Sequence, residues 1–262
     1  IFITGASSGI GQALAHEYAK RYSLSTRENG MLGSRMDIGS QSMPFNIGLV
    51  ARRSEHLQQL AETLQNQYGV TCATYALDVR DAAALNLAAQ DFMSKFGTPN
   101  IVIANAGVSR GTLTEEKEDI KAIQAIFDIN VIGVVNTFQP FIAAMKAAGK
   151  GQLVGVASVA GIRGIPGSGA YSASKSAVIS YCESLRAEMQ HFNIAVSTIA
   201  PGYIRTPMTE INQYKMPFLM DADVFANKFA NAVDAKVRFK IIPWQMGVIA
   251  RMMRLIPAGL WD

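Results

Sequence analysis

The sequence predicts an α/β fold in which a doubly wound parallel sheet carries helices on both faces. Apolar runs typical of strands alternate along the chain with longer stretches of helical periodicity, which is the pattern of consecutive βαβ units. The length of 262 residues, with 49% hydrophobic and 17% charged side chains, fits one well-buried domain spanning 1–262. Because ligands of such sheets bind beyond the carboxyl ends of the strands, the chemistry is expected there.

The apolar runs predict strands at Ile1–Ile3, Ile47–Ala51, Thr71–Leu77, Ile101–Ala104, Gln152–Val156 and Ala195–Ile199. Helical periodicity starts at Gln12 and predicts further helices at Ser54–Tyr68, Ala82–Phe96, Lys121–Ala148 and Tyr171–Phe192. The polar segment 21–46 has no clear periodicity and makes the connection to the second strand roughly twice the ~20 residues usual in a dinucleotide unit. We expect 21–46 to be a poorly ordered surface insertion. A partner-binding segment and a sequence error are the alternatives.

A glycine-rich turn follows the first apolar run. It reads Thr-Gly-Ala-Ser-Ser-Gly-Ile-Gly and stands between a strand and a helix, which is the context a dinucleotide fingerprint requires. Glycines allow the tight turn and let the backbone approach a pyrophosphate at the helix N-terminus. The spacing is GxxxGxG, and a glycine turn without a ligand is the alternative if the motif stood alone. The residues expected at the cofactor are Thr4, Gly5, Ser7, Ser8, Gly9, Ile10 and Gly11.

A tyrosine and a lysine stand four residues apart at Tyr171 and Lys175, with Ser158 thirteen positions before the tyrosine. On a helix, residues i and i+4 share a face, so the phenol and the ammonium point into the same space. A free tyrosine has a pKa of about 10, and a nearby lysine charge favours the phenolate and lowers that pKa. The Ser158 hydroxyl can hold the oxygen of a carbonyl or an alcohol. These residues predict a proton transfer. The glycine turn predicts that a dinucleotide is bound nearby and that its chemistry is coupled to this transfer.

These motifs resemble those of the short-chain dehydrogenase/reductase family, in its compact single-domain type. The other matching motifs, in the same order, are Asn105-Ala106-Gly107, Asn130, and Pro201-Gly202 followed by Thr206. The matched positions run from 4 to 206, about three quarters of the chain. The resemblance implies a Rossmann-like fold, an NAD(P)-dependent oxidoreductase acting on a small-molecule carbonyl/alcohol pair, and a homo-oligomer.

The resemblance also implies roles at the reaction centre. Tyr171 would be the general acid in reduction and the base in oxidation, with Lys175 lowering its pKa and binding the nicotinamide ribose. Ser158 would orient the substrate oxygen. Asn130 would anchor a water that links Lys175 to solvent, with a satisfied interior amide as the alternative. The cofactor floor and the nicotinamide loop are expected from Asn105, Ala106, Gly107, Pro201, Gly202, the Ile204 backbone and the Thr206 hydroxyl.

The end of the second strand predicts the cofactor. A carboxylate there suits the ribose of NAD, whereas arginine suits the 2′-phosphate of NADP. Ala51 stands where the acid is expected and Arg52 follows, so we predict NADP(H), with Arg53 either assisting or facing solvent. Asp78 and Val79 resemble the family's adenine-contacting pair. A helix N-cap is the alternative for Asp78.

The composition limits the classes of binding partner and the cellular compartment that we expect. The 24 basic and 20 acidic residues are scattered, so the net charge of +4 favours a solvated surface over a nucleic-acid interface. Two cysteines are too few for a disulfide framework, which predicts a reduced, cytoplasmic compartment, and we expect no metal. No stretch reaches the ~18 consecutive apolar residues of a membrane span. We see no signal peptide, and the absence of an initial methionine predicts a few further residues before the first strand.

Residues 208–262 are expected to form a substrate lid and a C-terminal tail. Methionine and aromatic side chains between Met208 and about Phe229 favour an apolar carbonyl or alcohol substrate, with plain lid or subunit packing as the alternative. The glycine-rich segment Gly161–Gly169 would form the opposite wall. The tail is rich in methionine and tryptophan and packs over the pocket or another subunit. Peripheral membrane contact by an amphipathic helix is the less favoured alternative.

Three functions fit the motifs. The leading prediction is an oxidoreductase. An epimerase or dehydratase of the extended relatives keeps the tyrosine and lysine, but those proteins are longer and favour a GxxGxxG turn. A dinucleotide-binding sensor or scaffold often loses one catalytic side chain, whereas all four are present here. The presence of all four favours catalysis.

Overall fold

The computed structural model describes residues 1–32, 45–212 and 214–261. Its strands are β1 Phe2–Thr4, β2 Asn46–Ala51, β3 Thr71–Ala76, β4 Ile101–Ala104, β5 Gly151–Val156, β6 Ile194–Pro201 and β7 Phe239–Ile242. They form a seven-stranded sheet in the order β3-β2-β1-β4-β5-β6-β7. Every neighbouring pair is parallel, which confirms the predicted sheet.

Helices cover both faces of this sheet. They are α1 Gly9–Leu32, α2 Ser54–Tyr68, α3 Ala82–Phe96, α4 Ile120–Phe127, α5 Gly133–Ala148, α6 Gly169–Met189, α7 Pro207–Glu210, α8 Ala222–Asp234, α9 Trp244–Leu255 and α10 Ala258–Trp261. Successive strand residues point to opposite faces, so Ile3 joins the core under α1, α2 and α8, whereas Phe2 joins the core under α3, α5 and α6. The Phe2 ring contacts Phe92 and Phe141. Both faces are therefore buried, as a parallel sheet requires.

The strand order reverses between β1 and β4. From β1 the chain moves outward through β2 and β3, then returns to β4 on the other side of β1. The loops that leave these two strands diverge, and this opens a crevice at their carboxyl ends. The topology alone therefore places a ligand site beside the turn after Thr4.

The predicted insertion begins as an extension of α1, which continues to Leu32. Arg21 is anchored there, donating to Glu17 at 2.7 Å and to Asp234 of α8 at 2.6 Å. The first residue of 21–46 is therefore held on the domain by a contact with a distant helix. Asn46 already belongs to β2, and residues 33–44 lie outside the described residues.

The run Lys117–Ala148 is one described stretch long and apolar enough to span a membrane by length and composition. It is not one uniform helix, because a 3₁₀ turn precedes α4 and a π-helical turn at Asp128–Ile132 separates α4 from α5. Its inner face packs on the sheet, where Phe138 and Phe141 are fully buried. We interpret the run as a core element, which passes the same test of length and hydropathy.

Part of the segment 208–262 belongs to the body of the domain. Phe225 and Phe229 of α8 are fully buried in the core beside α1, and β7 adds a parallel strand to β6. β7 was not predicted, because its first two residues, Phe239 and Lys240, are exposed at the sheet edge and interrupt the apolar pattern. The part of the predicted lid that lies outside these core elements is the stretch between α7 and α8.

Candidate active site

A cleft of about 1190 Å³, open to solvent, lies at the carboxyl ends of the strands. The predicted residues that line it are Gly5, Ser7, Ser8, Gly9, Ile10, Arg52, Arg53, Asp78, Val79, Asn105, Ala106, Gly107, Tyr171, Lys175, Pro201 and Thr206. The cleft is also lined by Ala51, Leu77, Val108, Ile129, Val156, Ala157, Pro207 and Met208. The structure therefore brings the separate motifs together in one site. The additional residues are mostly apolar neighbours of the motifs, which carry little sequence signal of their own.

The glycine turn is held in shape by the loop after β4. The Asn105 side chain donates to the carbonyl oxygens of Thr4 at 3.0 Å and Gly5 at 3.3 Å. In return, the buried Thr4 hydroxyl accepts from the backbone amides of Asn105 and Ala106. Thr4 thus supports the floor of the cleft from behind rather than lining it, and Asn105 has an architectural role.

The glycines of this turn occupy positions that other residues would strain. Gly5 and Gly9 have φ of +70° and +55°, the left-handed region that glycine tolerates best. A Cβ on Gly11 would come within 2.2 Å of the Gly5 carbonyl oxygen, so Gly11 serves the close packing of the turn on α1. Because α1 begins at Gly9, its N-terminal amides face this end of the cleft, which suits a phosphate group.

Arginines gather at the β2 end of the cleft. Arg53 donates to the Ser7 hydroxyl at 3.0 Å, and Arg52 is 67% exposed with its Nη1 3.9 Å from Asp78 Oδ2. Arg80 binds the same carboxylate at 2.8 Å. Hydrogen bonding by Arg80 and the charges of Arg80 and Arg52 lower the pKa of Asp78. Arg80 was not predicted as a site residue, and its place at the cleft follows from its contact with Asp78.

The N-cap alternative for Asp78 is wrong. The N-cap of α3 is Asp81, whose carboxylate accepts from the Ala84 amide at 2.9 Å. Asp78 instead accepts from Arg80 through both its backbone amide and its guanidinium. Asp78 is therefore free of a helix-capping role and lines the cleft beside Val79.

Tyr171 and Lys175 lie one turn apart on α6, as the spacing predicts. The Lys175 Nζ donates to the Val156 carbonyl at 3.0 Å and lies 5.9 Å from the centroid of the Tyr171 ring. Gly107 leaves room for it, since a Cβ there would lie 3.2 Å from Nζ. Burial lowers the pKa of Lys175 to about 8. The lysine is thus a buried cation held at the inner end of the cleft.

Ser158 reaches this centre from the end of β5. It caps a 3₁₀ turn, its hydroxyl accepting from the Ala160 amide at 3.2 Å, and it is buried behind the cleft wall. Gly161 ends that turn so close to α6 that a Cβ would meet the Lys175 carbonyl carbon at 2.7 Å. The Ser158 hydroxyl is near enough to the Tyr171 phenol to lower the pKa of that tyrosine.

The pKa of Tyr171 differs from the sequence-based expectation. Desolvation by the surrounding protein raises it above its ordinary value, and a hydrogen bond with Ser158 opposes that rise. The Lys175 ammonium points instead to the Val156 carbonyl. The net pKa of Tyr171 is therefore raised and not lowered as expected, because desolvation dominates.

Asn130 sits in the π-helical turn and is fully buried. Its amide oxygen accepts from the Val108 amide at 2.8 Å, while its amide nitrogen donates to the Val108 carbonyl and the Ser174 hydroxyl. These contacts match the satisfied interior amide. Through them Asn130 fixes the strand-end loop against α6, and its Oδ1 borders the same space beside Gly107 as Lys175 Nζ.

The nicotinamide loop divides between the cleft and its support. Pro201 and Thr206 line the cleft, whereas Gly202 packs behind it against Met246. The Ile204 carbonyl accepts from the Thr209 hydroxyl at 2.7 Å, so this group is engaged within the protein. Thr206 caps α7 and lies 3.2 Å from the position of a Cβ on Gly9. The loop after β6 therefore closes directly onto the glycine turn.

Comparison with known proteins identifies the family. A model of the short chain dehydrogenase family matches residues 32–216. The chain belongs to this family. An uncharacterized oxidoreductase of Myxococcus xanthus is 35% identical, covering 99% of this chain and 93% of the relative. The predicted family and the oxidoreductase class of enzyme are confirmed.

Solved structures share the fold of this short-chain dehydrogenase. A short-chain dehydrogenase from Sphingobium yanoikuyae in complex with NADPH superposes with a TM-score of 0.75 at 23% identity, covering 98% of this chain and 96% of that one. A family member from Burkholderia phymatum in complex with NAD has a TM-score of 0.79 at 22% identity, covering 96% and 91%. These likenesses confirm the predicted Rossmann-like fold.

The outer end of the dehydrogenase cleft carries apolar and aromatic side chains. Met208 lines the cleft and is 41% exposed. The rings of Tyr203 and Tyr214 are in edge contact at 6.1 Å, and the electrostatic influence of Tyr214 adds to the raised pKa of Tyr171. Met208 therefore lines the cleft, and Tyr214 is near enough to Tyr171 to affect its pKa.

The depressed pKa of Lys175 predicts a pH-dependent stability of the dehydrogenase. Between about pH 8 and its ordinary value of 10.5, the folded protein binds fewer protons at this site than the unfolded chain. The free energy of unfolding therefore rises with pH across that window. Lys175→Met removes this rise, so the stability of the wild type relative to the variant should increase by on the order of 3 kcal/mol across the window.

Urea unfolding of both proteins below and above that window measures the change. Lys150→Met, at an exposed position, is the control and should show a constant difference from wild type. A constant difference for Lys175→Met as well would show that Lys175 keeps an ordinary pKa in the folded protein.

Proposed function

We propose that this short-chain dehydrogenase is an NADP(H)-dependent oxidoreductase that interconverts an apolar carbonyl compound and its alcohol, with Tyr171 as proton donor and acceptor. One observation carries the proposal. A single cleft has arginines at its β2 end and Tyr171 beside Lys175 at its inner end. The first group suits a phosphorylated ribose and the second suits proton transfer to an oxygen.

The cleft fits a dinucleotide phosphate. The glycine turn provides backbone amides at the start of α1, and its two left-handed glycines keep side chains out of the approach. Arg52 and Arg53 follow Ala51, where an NAD-type site would carry a carboxylate. Solved relatives bind NADPH or NAD, so the arginines, and not the likeness, support NADP(H). A nicotinamide cofactor bound here supplies or accepts the hydride.

Tyr171 moves the proton. In reduction its hydroxyl donates a proton to the substrate oxygen, and in oxidation the phenolate accepts one. Ser158, whose influence lowers the pKa of Tyr171, holds that oxygen beside the phenol. The Lys175 cation lies near enough to stabilise the phenolate left after donation. Because burial keeps Tyr171 protonated, the site is prepared for reduction.

The substrate is proposed to be apolar. Met208 and Pro207 offer apolar contact at the cleft, and the paired rings of Tyr203 and Tyr214 lie on the same segment of the chain. The free thiols of Cys72 and Cys182 are consistent with a reduced compartment, and we propose a cytoplasmic location.

The test is a steady-state screen of the purified protein. NADPH and, separately, NADH are mixed with apolar ketones, aldehydes and quinones while the nicotinamide absorbance is followed, with a hydrophilic keto-sugar as control. We expect NADPH oxidation with at least one apolar class and a kcat/KM at least about tenfold higher for NADPH than for NADH. Preference for NADH would overturn the cofactor assignment. Tight NADPH binding without turnover would favour a sensor instead.

A further inference from the structure

Helix α9 has two apolar faces, one buried and one exposed. Met246, Gly247 and Ala250 are buried against the body of the domain. On the opposite side an exposed stripe runs at helical spacing. Its members and their exposed fractions are Trp244 71%, Val248 43%, Met252 63% and Leu255 82%. A helix that packs only on its own domain would carry polar residues along this stripe.

The stripe is held in place at its far end. Arg163 donates through Nη1 to the carbonyl oxygens of Met253 and Ile256, and its guanidinium lies 4.4 Å from the centroid of the Trp261 ring. Leu260, 80% exposed, extends the apolar surface beyond α9. The exposed apolar face is therefore a fixed surface of the domain and not a loose end of the chain.

The segment of the chain that carries this face is basic. Residues 235–261 carry five basic side chains and no aspartate or glutamate. The basic residues, all exposed, are Lys236, Arg238, Lys240, Arg251 and Arg254. Arg251 falls within the stripe by helical spacing, and Arg254 borders it. Any occupant of this face must therefore combine apolar contact with negative charge.

We propose that this face, defined by Trp244, Val248, Met252 and Leu255 with Arg251 and Arg254, docks on an anionic lipid surface. Leucine and tryptophan would enter the boundary between headgroups and acyl chains, while the arginines meet lipid phosphates. Tryptophan suits this boundary because it has an apolar body and a polar N–H. The protein lies on the membrane and does not span it.

A second copy of the chain fits this face less well. In a two-fold dimer the same patch occurs on both partners, so α9 would meet α9. Because residues 235–261 lack acidic side chains, the arginines of the two copies would face each other without compensation. An anionic membrane supplies the missing charge.

Docking would place the active site beside the bilayer. Met246, on the buried face of α9, packs so closely on Gly202 of the nicotinamide loop that a Cβ there would lie 2.8 Å from its Cγ. If the proposed function is right, an apolar carbonyl dissolved in the membrane would reach the cleft from there. The docking itself does not depend on that function.

Vesicle flotation tests the docking. The full chain is mixed with vesicles of phosphatidylcholine alone, or of phosphatidylcholine and phosphatidylglycerol in equal amounts, without cofactor or substrate. Three variants are compared: the apolar pair Trp244→Gln with Leu255→Gln, the basic pair Arg251→Gln with Arg254→Gln, and Leu87→Gln as the matched control. Leu87 is a 65% exposed leucine on α3. Circular dichroism confirms that each variant is folded.

We expect the wild type and Leu87→Gln to float with the mixed vesicles and to be released by high salt. Each arginine should contribute about fivefold to the partition coefficient, so the basic pair should lose about 25-fold. The apolar pair should lose at least tenfold. Wild type that stays unbound with mixed vesicles would overturn the proposal. An apolar-pair variant that binds vesicles as well as Leu87→Gln would also overturn it. If the apolar pair leaves vesicle binding unchanged but lowers the molecular mass in sedimentation equilibrium, the face is a contact between subunits.

Discussion

Tyr171→Phe is expected to lower kcat by about 10²- to 10⁴-fold while the affinity for NADPH stays within about twofold of wild type. Phenylalanine keeps the aromatic ring at this position of α6. It removes the hydroxyl group, whose pKa is lowered by Ser158. The proton for the substrate oxygen is then lost without a change in the shape of the cleft. Single-turnover oxidation of NADPH and fluorescence titration of NADPH binding measure the two quantities separately.

Tyr181→Phe is the matched control for this variant. Tyr181 lies on the same helix, is half-buried, and has a pKa that burial raises, yet it is not among the residues that line the cleft. It should retain kcat. Activity that survives in Tyr171→Phe would show that another group donates the proton. An equal loss in Tyr181→Phe would assign the effect to helix packing instead.

The raised pKa of Tyr171 shows where sequence reasoning reached its limit at the reaction centre. The i, i+4 spacing correctly placed Tyr171 and Lys175 on one helical face. It could not show that Lys175 would donate to the Val156 carbonyl at 3.0 Å. Nor could it show how far both groups would be removed from water. A pKa depends on burial and on the direction of individual hydrogen bonds, which spacing does not specify.

The regular elements were predicted best where local signals are strong. The observed bounds of α2 and α3 are those predicted, because each helix has an apolar periodicity and ends at a glycine with positive φ, Gly69 and Gly97. β7 was missed, since an edge strand does not need an apolar pattern. The extension of α1 was missed because Arg21 is anchored on α8, which is far away in sequence.

The sequence indicates which residues belong to the site motifs. It does not indicate which of them line the cleft and which lie behind its surface. The glycine turn, Asn105 and Tyr171 carry chemistry that constrains residue type, so their motifs are visible in the sequence. Gly202 and Ile204 belong to the same motifs but lie behind the surface, where they support the loop. Arg80 binds Asp78 from two residues away, whereas Arg52 meets the same carboxylate only through tertiary contact, which the sequence does not show.

Arg52→Gln is expected to lower kcat/KM for NADPH by about 10- to 100-fold, the range of one charge-assisted hydrogen bond to a phosphate. The value for NADH should stay within about twofold, since NADH lacks the 2′-phosphate. The side chain is 67% exposed and its contact with Asp78 is long, at 3.9 Å, so the fold should not depend on it. An unchanged thermal midpoint would confirm this.

Arg80→Gln separates direct binding of the phosphate from indirect positioning. Arg52 and Arg80 both contact the Asp78 carboxylate. Without Arg80, that carboxylate attracts Arg52 alone. Arg52 would then be drawn away from a 2′-phosphate, and NADPH should weaken by a few-fold while NADH is unaffected. In the double variant Arg52→Gln with Arg80→Gln, the Arg80 substitution should cause no further loss of NADPH affinity, because Arg80 acts through Arg52. Additive losses would mean that Arg80 binds the phosphate itself, and equal losses for NADPH and NADH would refute a 2′-phosphate role for Arg52.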